Sequence, residues 1–197
     1  MDKKDKPTES KVKEALPAYD KLYTYSDYIT WTDDIRYELI DGVPYMMSAP
    51  TRMHQEILGN LHLLFGNFLK GKSCKVYLTP FDVRLNADTS DDTVVQPDLV
   101  IVCDHSKLDD AGCKGAPDMV VEILSPSTSH KDRNIKFNTY LRSGIKEYWT
   151  IDPDAKSLAA HILKDNNYIT HAYTQEETAP VHILEGCNIN LSEVFER

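Results

Sequence analysis

The segment Met119–Ser125, MVVEILS, places a glutamate inside a run otherwise built for a protein core. An unpaired carboxylate taken out of water costs several kcal/mol even after relaxation, about the whole stability margin of a small domain. Any fold that buries this strand must therefore supply Glu122 with a partner, either a basic side chain or a cation.

The neighbouring elements narrow the choice. RYELIDGVPYMM reads as two strands around an Asp41-Gly42 turn, with Glu38 on the first. From His54 to Lys70, apolar residues recur at three- and four-residue steps and Gly71 follows, the pattern of an amphipathic helix with its stop. KVYLTPFDVRL, VVQPDLVIV and DMVVEILS are strand candidates. SPSTSHKDR then supplies a loop and a helix start with Ser129 as N-cap, and the helix is expected to reach about Arg142 before Gly144 closes it. EYWTID is a further strand, LAAHIL and YITHAY flank a KDNN turn as a terminal hairpin, and LSEVFER reads as a short closing helix. This order predicts an α/β domain with a mixed β-sheet flanked by helices and carrying added N-terminal and C-terminal β-hairpins. Residues 1–20 are highly charged and are expected to form a mobile tail ahead of a single domain over residues 21–197.

Strand periodicity places Gln96, Asp98, Val100 and Val102 on one face, and Val120, Glu122 and Leu124 on one face. Were the two strands adjacent with these faces matched, Asp98 and Glu122 would converge, and converging carboxylates need a proton or a cation between them. Mg²⁺, or Mn²⁺ in its place, answers that need, because such ions take oxygen ligands and commonly use one or two carboxylates completed by water and substrate phosphate. On the following helix Arg133, Lys136 and Tyr140 share a face by the three- and four-residue rule. The same residues allow a second reading, in which Arg133 or Lys136 simply neutralises Glu122, Asp98 only begins a strand, and Lys136 pairs with Asp132 at the surface. Spacing alone does not choose between them.

Composition excludes several classes. With 31 acidic and 22 basic residues the formal net charge is -9, so overall charge does not draw this chain to nucleic acid. A DNA partner requires a local patch, for which Lys131, Arg133, Lys136, Arg142 and Lys146 are the candidates. No run approaches the ~18 consecutive apolar residues of a membrane span. Cys74, Cys103, Cys113 and Cys187 lack zinc-site spacing, and with no export signal at the start they are expected to be reduced thiols in a cytoplasmic protein. The chain has no GxGxxG, no GxxxxGK[ST] and no G-x-S-x-G elbow, which argues against dinucleotide, P-loop and serine-hydrolase sites. Cys103 with His105 reads as core packing rather than a nucleophile pair. His54, opening the first long helix, is the one histidine that stands out.

Taken together in order, YELIDG, PFDVRL, QPDLVIV, VVEILSPST followed by DR and Lys136, and GIKEYWTIDP resemble the putative restriction-endonuclease domain family of bacteria, within the PD-(D/E)xK nuclease superfamily. The resemblance runs from about Tyr25 to the C-terminus. It implies a restriction-endonuclease-like core and metal-dependent hydrolysis of DNA phosphodiester bonds. Pro97-Asp98 resembles the PD element and Glu122 the second acidic position, while Leu124 stands where the standard pattern has lysine. The resemblance assigns that lysine to Lys136 on the next helix, adds Glu38 as a further ligand or water partner and His54 as a polar wall or proton carrier, and leaves Arg133 and Lys131 as phosphate contacts. A homodimer is expected if both strands are to be cut. The rival expectation is a nuclease-like module without turnover that binds nucleic acid or a protein partner.

Overall fold

The computed structural model describes residues 21–32, 35–125 and 131–196, with side chains from residue 134 in the last stretch. The expected tail over 1–20, the Ser129 cap and the side chains of Lys131 and Arg133 lie outside the described residues. The elements in chain order are α1 (Tyr25–Tyr28), β1 (Tyr37–Ile40), β2 (Val43–Met46), α2 (Arg52–Leu69), β3 (Lys75–Leu78), β4 (Asp82–Arg84), β5 (Val94–Val95), β6 (Leu99–Val102), β7 (Leu108–Asp109), β8 (Gly112–Lys114) and β9 (Met119–Ile123). A π-helical stretch over Lys131–Lys136 leads into α3 (Phe137–Arg142), followed by β10 (Glu147–Asp152), β11 (Ser157–Lys164), β12 (Asn167–Thr174), β13 (Thr178–Pro180), β14 (Asn188–Asn190) and α4 (Leu191–Val194).

Among the described residues the strands form two six-stranded mixed sheets, β12-β11-β10-β9-β6-β3 and β2-β1-β5-β4-β8-β7, and a β13-β14 ribbon. In the first sheet β9 and β10 run parallel, joined by the crossover through α3, and the other pairings are antiparallel. One face of it carries Leu99, Ile101, Met119, Val121, Ile123, Trp149 and Ile151 against Ile57, Leu58, Leu61 and Phe65 of α2 and against the C-terminal segment. The other face puts Val100, Val102, Val120 and Tyr148 against Tyr140 of α3 and against Ile40, Val83 and Val95 of the second sheet. The α/β architecture with its two added hairpins is therefore as the sequence predicts.

Local chemistry accounts for the elements. Thr51 caps α2 by accepting from the His54 N–H at 3.2 Å. Asp41 and Gly42, at φ 51 and 76, make the tight β1-β2 turn, and Asp165 and Asn166, at φ 51 and 61, make the β11-β12 turn. Gly112 is required where β4 and β8 meet, because a Cβ there would lie 2.1 Å from the Asp82 carbonyl oxygen.

Three expectations are corrected. KVYLTPFDVRL is two strands in different sheets, split at Thr79-Pro80, and VVQPDLVIV is likewise divided into β5 and β6 at Gln96-Pro97-Asp98. Proline cannot donate to a ladder, so each proline marks the place where the chain leaves one sheet for the other. Gln96 and Asp98 thus do not share one continuous strand with Val100 and Val102. Finally, Cys74 and Cys103 form a disulfide. The β3-β6 register pairs Lys75 with Val102, and one step further it sets Cys74 opposite Cys103, a juxtaposition that residue spacing in sequence does not reveal. Cys113 and Cys187 are buried free thiols. Among the described residues no helix is long and apolar enough to cross a membrane.

Candidate functional site

Glu122, the penultimate residue of β9, lies on the face that carries Val120, turned toward α3 and the second sheet. The compensation its burial demands comes from α3 and the turn before it. Lys136 Nζ lies 2.7 Å from Glu122 Oε1, and the Tyr140 hydroxyl donates to the same oxygen at 2.6 Å. Lys136 and Tyr140 are one helical turn apart, so a single face delivers both donors. Glu38 joins them from β1: its Oε1 lies 2.6 Å from Lys136 Nζ and accepts the Gln96 N–H at 3.0 Å. Glu38, Glu122, Lys136 and Tyr140 are all buried, at 0, 4, 2 and 0% exposure, so these are charge-assisted bonds out of reach of bulk water. Burial, followed by the nearby charges of Glu122 and Glu38, raises the Tyr140 pKa well above its ordinary value, which keeps the phenol protonated and donating.

Asp98 occupies the bend immediately before β6. The antiparallel register pairs Leu99 with Val121, and one step further Asp98 falls opposite Glu122 at the same end of the sheet. Its Oδ2 accepts the Ile123 N–H at 2.7 Å and lies 3.1 Å from His54 Nε2 at the start of α2. Asp98 Oδ1 has no hydrogen-bond partner among the described residues, and the side chain keeps 15% exposure. The carboxylate is thus held by one oxygen with the other available. His54 Nδ1 is buried without a hydrogen-bond partner.

The sequence-predicted residues consequently fall into two linked groups. Glu38, Glu122 and Lys136 form one network, Asp98 and His54 form a pair beside it, and the β6-β9 ladder connects them. No group of three His, Cys, Asp or Glu side chains close enough to enclose a metal occurs among the described residues. The donor set is of the kind a hard divalent ion uses with one or two carboxylates, water and phosphate, and not an all-protein cage. The expected basic patch is largely committed elsewhere: Lys136 to the two glutamates, Arg142 to Asp41 and Lys146 to Asp118.

Sequence reasoning missed the layer behind Glu38. Gln96, whose backbone bonds Glu38, donates from its side-chain amide to Asp82 at 2.7 Å and to the Tyr28 hydroxyl at 3.0 Å, and accepts from Arg36. Burial raises the pKa of Asp82, and burial together with the Asp82 charge raises that of Tyr28. The available signal was the two-residue step from Arg36 to Glu38 leading into β1; for Gln96 the chain break at Pro97 hid it.

A family model described as Uma2, "Putative restriction endonuclease", matches residues 24–192. An uncharacterized protein of Synechocystis sp., slr1290, is 32% identical over 116 residues, which cover 58% of this chain and 60% of that protein. A crystal structure of a putative nuclease belonging to DUF820 from Anabaena variabilis superposes with a TM-score of 0.71 at 18% identity, covering 88% of this chain and 97% of that one. The structural likeness concerns the fold.

Proposed function

The chain belongs to the Uma2 family of putative restriction endonucleases, and from that premise we propose that it is a metal-dependent endonuclease that hydrolyses DNA phosphodiester bonds. The observation that carries the reading is the meeting of Glu38, Glu122 and Lys136, from three separate parts of the chain, beside an Asp98 carboxylate that retains an open oxygen. In this reading Asp98 and Glu122 would hold Mg²⁺ or Mn²⁺. The ion, when bound, supplies a water of lowered pKa and offsets charge building on the phosphoryl oxygens.

The protein groups do the rest. Lys136 orients the attacking water and donates to the developing anion. Glu38 and Glu122 hold that ammonium in place, and Tyr140 fixes the rotation of the Glu122 carboxylate. His54 and the Ile123 N–H fix Asp98. Lys131 and Arg133 contact phosphate. A homodimer would place two such sites on opposite strands of a duplex.

One feature favours the rival reading, a nuclease-like module without turnover that binds nucleic acid or a protein partner. Lys136 already balances charge on both glutamates by direct ion pairs, as a network needing no ion would. Incubation of plasmid with Mg²⁺ or Mn²⁺ separates the two. The endonuclease reading expects metal-dependent nicking that falls about 10²-fold or more in Asp98→Ala and Glu122→Ala. Equal activity in wild type and both variants would dismiss it.

A further inference from the structure

A concave site adjoins the carboxylates through Gln96, whose N–H bonds Glu38. Tyr28, Ile29, Trp31, Tyr37, Arg36 and Gln96 line an open cleft of about 270 Å³, just below the ~300–1,000 Å³ that holds a drug-sized ligand. Its apolar wall is a rigid aromatic group. The Trp31 ring packs edge-on against Tyr23, Tyr28 and Tyr37, with centroids 5.4, 5.5 and 5.1 Å away, yet Trp31 remains partly exposed.

Arg36 forms the polar wall, and its circumstances set it apart. Among the described arginines, Arg52, Arg84 and Arg142 pair with carboxylates, whereas Arg36 bonds only neutral acceptors. Its Nε donates to Gln96 Oε1 at 3.2 Å, and its Nη2 donates to Gln96 Oε1 and to Thr79 Oγ1 at 2.8 Å. These two tethers fix the guanidinium plane, while the Nη1 amino group has no hydrogen-bond partner among the described residues. A full positive charge is thus held in place with donors to spare, the arrangement suited to a phosphate.

Both tethers also lead to the candidate site. The Gln96 N–H bonds Glu38, and the Thr79 N–H bonds the Asp98 carbonyl oxygen at 3.1 Å. Arg36 itself continues the β1-β2 ladder, where the Met47 N–H donates to its carbonyl oxygen, so it precedes Glu38 by one strand repeat.

We propose that this cleft is a nucleotide subsite flanking the bond to be cut, taking an unpaired base against Trp31 and that nucleotide's phosphate on the Arg36 fork. The inference deepens the endonuclease reading and rests on it for the scissile bond. Stacking on the Trp31 ring requires a base out of the duplex, so the substrate class is single-stranded or locally melted nucleic acid. An intact duplex offers the ring no open base face.

Fluorescence anisotropy tests it with the full chain in EDTA, using a fluorescein-labelled single-stranded oligonucleotide and the same strand annealed to its complement. Trp31→Ala is expected to weaken single-strand binding roughly ten- to hundredfold and duplex binding much less. Arg36→Gln is expected to weaken single-strand binding and to lower the slope of log affinity against log salt by about one. Because the Trp31 ring also packs on three tyrosines, Arg36→Gln and Trp31→Phe carry the test if Trp31→Ala does not fold, and Trp31→Phe should retain most of the binding.

Wild-type affinity in both Trp31→Ala and Arg36→Gln would overturn the subsite, and parallel plasmid nicking by the same preparations would show whether the endonuclease reading survives that failure. Trp31-dependent single-strand binding by a protein that nicks nothing would uphold the subsite and remove the nuclease. A wild-type protein that binds neither oligonucleotide would overturn the subsite outright.

Discussion

Glu122 and Glu147 lie on adjacent parallel strands, and each is almost wholly buried, at 4 and 0% exposure. The two are compensated in different ways. Glu122, at the C-terminal end of β9, receives an ammonium and a phenol, and it shares that ammonium with Glu38. Glu147, at the start of β10, receives two neutral donors, the Trp149 indole at 2.8 Å and the Ile183 N–H at 2.9 Å, with His182 Nδ1 further off at 3.8 Å. Burial raises the Glu147 pKa. Glu147 clasps the C-terminal segment to the sheet, whereas Glu122 sits at the sheet end where the β6 register, carried one step on, sets Asp98 opposite it. A buried glutamate alone therefore does not mark a site. What distinguishes the two is the charge of the partner and the presence of a second carboxylate with an open oxygen.

Removing the cation should separate the regions most strongly. Lys136→Met leaves Glu38 and Glu122 without their ammonium, and the expected loss is about 3–5 kcal/mol in urea denaturation. A loss under about 1 kcal/mol would mean that the network is slack and that the contrast with Glu147 is illusory. Tyr140→Phe removes one hydrogen bond to a charged acceptor while keeping the ring, and should cost about 1.5–3 kcal/mol by the same measurement.

Glu147→Gln should have the smallest effect at neutral pH, about 1 kcal/mol, because the amide oxygen still accepts from one of the two donors. Its pH dependence is the sharper test. The folded-state pKa of Glu147 is raised, so protonation stabilises the native state fully below the ordinary value of 4.5, and that contribution is lost as pH rises through the raised value. Wild type should therefore lose stability relative to Glu147→Gln as pH climbs across that window. Parallel curves for the two proteins would show that the carboxyl group carries no such linkage.

Much of this arrangement follows from local signals. The Asp41-Gly42 hairpin, the periodic apolar face of α2, and the β9-α3-β10 crossover depend on neighbours close in sequence, and all are readable from it. The shared face of Lys136 and Tyr140 is legible for the same reason. Long-range pairing is not. The split of VVQPDLVIV across two sheets was signalled by Pro97, but the partner of each half is set by tertiary structure, as is the register that joins Cys74 to Cys103. Glu38 entered through resemblance, because nothing local ties β1 to α3. The Arg36-Gln96-Thr79 tethers likewise need β1, β5 and β3 brought together, which no spacing within a single segment encodes.

The most direct test of the central claim is a crystal soaked in Mn²⁺ and examined by anomalous scattering. A peak at ligand distance, about 2.0–2.3 Å, from an oxygen of Asp98 and one of Glu122 is the predicted result. A well-ordered site with Lys136 still bridging Glu38 and Glu122 and no anomalous peak between the carboxylates would contradict it.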